Sequence, residues 1–109
     1  MSIYSLMQSI LEPIVPVVVP DNYEGEESEY IEYSMTDIPV FFGDNEPEFI
    51  RHLITIKWYA PNDGNPNRKK KQICRAIRDA GMVYPKVTDL SDDVGRCFAF
   101  ETEAVDGDI

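Results

Sequence analysis

One histidine and two cysteines are the most chemically versatile side chains in this 109-residue chain. Catalysis needs a nucleophile, a base and an orienting group, or a metal. His52 stands in a strongly alternating apolar stretch, which predicts a partly buried structural histidine. No second histidine or cysteine lies at ligand spacing from it, so a zinc or iron site is not expected. Cys74 follows Ile73 on a helical pattern and Cys97 precedes Phe98 on a strand pattern, and both read as small core hydrophobes. Glu24, Glu26, Glu27 and Glu29 form a carboxylate cluster. They lack the Asp-rich, glycine-kinked spacing of a calcium loop and read as a solvated segment. The six glycines are scattered, with no phosphate-binding pattern. The expectation is a chain that is not an enzyme, with no catalytic, cofactor-binding or metal residues, and with His52, Cys74 and Cys97 dispensable for function.

Charge is the feature that stands out. The formal net charge is −10 at pH 7. This argues against a dedicated binder of nucleic acid or anionic membranes. Residues 1–48 carry eleven acidic side chains and no basic one, whereas residues 49–109 carry ten basic and nine acidic ones. Six of the ten basic residues, Arg68, Lys69, Lys70, Lys71, Arg75 and Arg78, fall on one helical segment. A solvated helix face is the plain reading and a nucleic-acid patch a second. A third is a head-to-tail contact in which this helix meets Glu26, Glu27 and Glu29 of the next subunit.

The elements that would position these residues follow from periodicity. Ile3, Leu6, Met7, Ile10 and Leu11 make one helical stripe, with Ser2 as a possible cap and Pro13 as the stop. The valines from Val15 to Val19 are broken by Pro16, which fits an edge strand. Residues 21–29 read as a loop, 30–35 as a strand and 37–47 as a second polar loop. Phe41 and Phe42 stand in that second loop, either as a docking contact for a partner or neighbouring subunit or folded back as a lid on the sheet. Both loops are expected to become ordered on assembly. Residues 48–59 alternate most strongly, with Ile50, His52, Ile54, Ile56 and Trp58 on one face. Turn residues 60–67 lead to a helix capped by Asn65 or Asn67. It runs to Ala80 with Gly81 beyond its end, and buries Ile73, Ala76, Ile77 and Ala80. Residues 82–87 are extended, 88–95 form an acidic turn and 96–103 alternate again. The expected fold is a single α+β domain, residues 1–109. It has a mainly antiparallel β-sheet of four to five strands with two helices packed on it, in the order α-β-β-β-α-β-β. Its core would join Ile50, Ile54, Ile56 and Trp58 to Ile73, Ile77, Phe98 and Phe100. The two thiols are expected to be free in a reducing cytoplasm, and no segment is long and apolar enough to span a bilayer.

Four segments carry a resemblance. They are the helix Ile3 to Leu11 leading into proline-flanked valines, the strand Tyr30-Ile31-Glu32-Tyr33, the run Ile54-Thr55-Ile56-Lys57-Trp58-Tyr59 before a polar loop and helix, and the pair Met82-Val83-Tyr84-Pro85 and Phe98-Ala99-Phe100-Glu101. Together they cover most of the chain and resemble the tail-terminator, or tail-completion, proteins of long-tailed bacteriophages and prophages. The resemblance implies a structural virion protein. It would cap the tail tube and join tail to head as a ring, hexameric in that family. Its partners would be itself, the tail tube protein and the head–tail connector protein, without cofactor, membrane or direct reading of nucleic acid. It would be assembled in the bacterial host cytoplasm and reside in the virion tail. Head-completion proteins share this size and architecture. A small acidic nucleic-acid mimic that inhibits a host enzyme is the reading from another class.

Overall fold

The computed structural model describes residues 3–20, 23–40, 49–62, 64–93 and 95–105. Seven elements follow one another: α1 (Ile3–Leu11), β1 (Val18–Pro20), β2 (Tyr30–Val40), β3 (Phe49–Ala60), α2 (Asn67–Asp79), β4 (Lys86–Asp89) and β5 (Arg96–Val105). The class is α+β, in the order expected. The strands form one sheet, β1-β2-β3-β5-β4, antiparallel throughout except where β1 runs parallel to β2.

Local chemistry accounts for the ends of the elements. In α1 the stripe Ile3, Met7 and Leu11 is buried, with Leu6 and Ile10 packed beside it. Beyond Leu11 its carbonyl oxygen accepts the amides of Ile14 and Val15 before the chain straightens. Gln8 Nε2 donates to the Val18 carbonyl at 2.7 Å and fastens the helix to β1. The start of α2 is built differently from expectation. Pro66 occupies the cap position and makes no side-chain cap, while Asn65 Oδ1 accepts the Asn67 amide at 2.9 Å. Its end is a Schellman motif: Gly81 N–H donates to the Arg78 carbonyl and Met82 N–H to the Ile77 carbonyl. Gly81 has φ 90°, which an L side chain resists, and buried Met82 packs with the core that holds Ile77.

The register fixes two faces. Ile31 and Tyr33 on β2, Ile54, Ile56, Trp58 and Ala60 on β3, and Phe98, Phe100, Thr102 and Ala104 on β5 are buried on the face that the helices cover. Ile73, Cys74 and Ile77 of α2 complete this core. The buried helix stripe therefore includes Cys74, while Ala76 is only half-buried.

Three expectations need correction. The segment 37–47 does not open as a loop at Asp37. β2 continues to Val40, because Asp37, Ile38, Pro39 and Val40 pair with His52, Arg51, Ile50 and Phe49. Thr88 and Asp89 belong to β4 rather than to a turn, paired with Ala99 and Phe98. Ile50 lies outside the core, because it sits on the part of β3 that runs beyond helix cover; the molecule measures 52 × 25 × 23 Å.

Candidate functional site

The sheet keeps His52 and Cys97 apart. His52 is on the helix-covered face, with Nδ1 2.6 Å from Asp37 Oδ1 of the neighbouring strand. Cys97 is on the opposite face, across from Tyr59. Seven residues of β3 separate His52 from that level, about 23 Å at the usual strand rise. Cys74 is buried on α2. Burial pushes both thiols up from their ordinary value. For Cys97 the Lys57 charge and a hydrogen bond with Tyr59 pull partly the other way. A nucleophilic thiol needs the opposite environment, one that favours thiolate. Among the described residues no group of three His, Cys, Asp or Glu is placed to hold a metal.

The basic helix is not one surface. Lys69 Nζ donates to both carboxylate oxygens of Glu29, at 3.0 and 2.9 Å, and the Trp58 indole N–H donates to Glu29 Oε2 at 3.1 Å. Lys69 and Glu29, expected to meet across a subunit boundary, thus meet within one chain, because Glu29 satisfies the buried indole. Lys70 Nζ lies 4.6 Å from the centre of the Phe98 ring. What remains is Arg68, Lys71, Arg75 and Arg78, all exposed, at steps of three, four and three residues. Such spacing lines them up along one side of the helix over about 15 Å. Arg78 pairs at 3.0 Å with its neighbour Asp79, and both are exposed enough for the pair to be weak.

The acidic segment is more built than a solvated loop. The Tyr23 ring packs on Tyr30, with centroids 4.4 Å apart. Tyr23 N–H donates to Glu32 Oε1, and the Tyr23 hydroxyl accepts the Glu27 amide. A Cβ on Gly25 would stand 2.1 Å from the Tyr23 hydroxyl, so a side chain there would displace the end of the Tyr23 ring. Between these anchors and Glu29, the carboxylates Glu24, Glu26 and Glu27 are exposed. Phe41 and Phe42 lie outside the described residues.

Sequence reasoning missed a groove on the open face of the sheet. Tyr30 stacks on Tyr59, with centroids 4.6 Å apart, and Tyr23 extends the row. Tyr30, Tyr59, Lys57, Arg96, Cys97 and Leu90 help to line a concavity of about 660 Å³ beside it. Burial is the first cause that raises both tyrosine pKa values, with Glu32 and Cys97 adding to it. Alternation alone places Tyr59 opposite Trp58 in facing. The signal that was missing is the register Tyr30↔Tyr59↔Cys97, which assembles the row.

Compared with protein-family models and with curated proteins, the chain finds no match. No helix among the described residues is long and apolar enough to cross a membrane.

Proposed function

We propose that this chain is a structural subunit that works by self-assembly, of the kind that terminates a phage tail tube and joins it to the head. The observation that carries the reading is the exposed stripe Arg68, Lys71, Arg75 and Arg78 on a chain of net charge −10. Exposed Glu24, Glu26 and Glu27 form a surface of opposite sign on a separate segment. A patch of one sign that meets its complement on another copy makes a head-to-tail contact, which closes into a ring or grows into a filament. Each exposed pair contributes little, about 0.2–1 kcal/mol, but a ring repeats the contact at every interface. The sequence resemblance supplies the setting, and the separation of His52 from Cys97 supports a structural role over a catalytic one. In this reading the interface uses Arg68, Lys71, Arg75 and Arg78, while Lys69 and Glu29 hold the fold. The test is Lys71→Glu, Arg75→Glu and Arg78→Glu combined, assayed for tail completion. The reading predicts tails of uncontrolled length or tails that fail to join heads. Normal tail length and normal joining would contradict it.

A further inference from the structure

The open-face groove and the tip of the β2–β3 hairpin lie at opposite ends of the molecule. Tyr30 and Tyr59 are paired at one end of the hairpin and Val40 and Phe49 at the other. Ten residues separate the two levels, about 33 Å at the usual strand rise. Residues 41–48 leave from Val40 and return at Phe49, so an eight-residue connection tethered at both ends reaches about 15 Å from the tip at most. It cannot enter the groove of its own chain.

We infer that the groove at Tyr30, Tyr59 and Cys97 receives residues 41–48 of a second copy of this chain. The inference rests on the assembly reading above and gives it a second contact, independent of α2. Three observations support this occupant. The groove floor is aromatic, with Tyr30 and Tyr59 stacked, and the connection begins with Phe41-Phe42. Paired aromatic rings add about 0.5–1.5 kcal/mol beyond the area they bury. The groove carries Lys57 and Arg96, while the connection carries Asp44, Glu46 and Glu48 and no basic residue. Arg96 is held in place by its donation to the Gly64 carbonyl at 2.8 Å, so its charge is positioned before a partner arrives. Geometry is the third: a donor tip and an acceptor groove at opposite ends of one molecule cannot meet within one chain, so the contact lies between copies, either reciprocal in a pair or passed from copy to copy. The carboxylate of Asp92 also lines the groove and sets a limit on how deep the acidic connection can sit.

Cys97 provides the readout, because it is half-buried in the groove wall and is a free thiol. In a Cys74→Ser background, Gly43→Cys puts a thiol next to the Phe41-Phe42 pair while leaving both rings intact. Mild oxidation at alkaline pH, where the raised Cys97 thiol ionises, should link copies through position 43 and Cys97, seen as a joined peptide pair in a digest of the species on a non-reducing gel. The pair should be lost when Phe41→Ala and Phe42→Ala are added. Linked species that contain no such pair would overturn the inference. If native mass measurement shows assembly without that pair, the groove contact is wrong and the α2 contact stands. A pair that survives reversal of Lys71, Arg75 and Arg78 upholds the groove and removes α2 from the interface.

Discussion

The two halves of β3 have the same alternation and different fates. From Ile54 to Ala60 the inward residues are almost completely buried: Ile54 1%, Ile56 0% and Trp58 1% exposed. From Phe49 to Leu53 the same face carries Ile50 and His52, both only half-buried. The strand is continuous, paired with β2 from Phe49 to Tyr59 and with β5 from Arg51 to Ala60, so from Arg51 onward strand formation does not distinguish the halves. Cover does. Over the first half, α1 and α2 provide Met7, Leu11, Ile73 and Ile77. The second half extends past them as a ribbon, and it ends in the hairpin tip proposed to dock on a neighbour. Apolar residues that one copy leaves uncovered are the usual material of an interface.

The sharpest way to break this comparison is to truncate both halves. Ile54→Ala should lower stability by about 2–5 kcal/mol, as for a large side chain removed from a packed core. Ile50→Ala should cost much less in the isolated subunit, because its site is open to solvent. Denaturant midpoints compare the two directly. Equal losses would mean that the core extends along the whole strand.

A smaller effect is expected at the seam between the acidic segment and α2. Glu29→Ala removes the acceptor of the buried Trp58 indole and the partner of Lys69. Loss of a buried hydrogen-bond partner costs about 1–3 kcal/mol. Trp58 is the only tryptophan, so its emission reports the change without ambiguity. The emission maximum should shift, and Lys69→Met should shift it less, because the indole would keep its acceptor. An unchanged spectrum in Glu29→Ala would show that the seam is not formed in solution.

The open face predicts the smallest effect, a slope in alkaline stability. Tyr30, Tyr59 and Cys97 all have pKa values raised in the folded chain, with burial the first cause. The unfolded chain therefore loses these protons first. Their contribution is complete at neutral pH and falls as pH rises above about 8.5 for the thiol and about 10 for the tyrosines. Tyr59→Phe should flatten the decline in denaturant midpoint over that range. A midpoint that stays level in the parent chain would contradict a half-buried tyrosine row.

Much of the fold was legible because it is written in periodicity. The α1 stripe, the buried face of β3 and the Phe98-Phe100 face each follow from spacing alone. The extent of β2 was not, because Asp37 and Pro39 are poor strand formers. They are accommodated where the β1 side of β2 has run out, since β1 pairs only with Ile31, Glu32 and Tyr33. A strand edge without a neighbour tolerates proline and charge. The candidate site was half legible. Composition exposed the basic helix and the acidic segment. It could not divide the six cations by partner, because Glu29 reaches Lys69 forty residues away. The tyrosine row needs three strands in register and has no local signal.

The central claim is a head-to-tail contact between the α2 stripe and the segment bearing Glu24, Glu26 and Glu27. It is tested most directly with two complementary chains. One carries Lys71→Glu, Arg75→Glu and Arg78→Glu, and the other carries Glu24→Lys, Glu26→Lys and Glu27→Lys. In each chain alone both patches have one sign, so self-association should be lost. In a mixture each patch finds its complement on the other chain. Native mass measurement of the mixture should give alternating one-to-one assemblies. They should dissociate near 1 M salt, where the screening length falls to about 3 Å. Two chains that remain separate at every concentration when mixed, or that each assemble as the parent does when alone, would contradict the account.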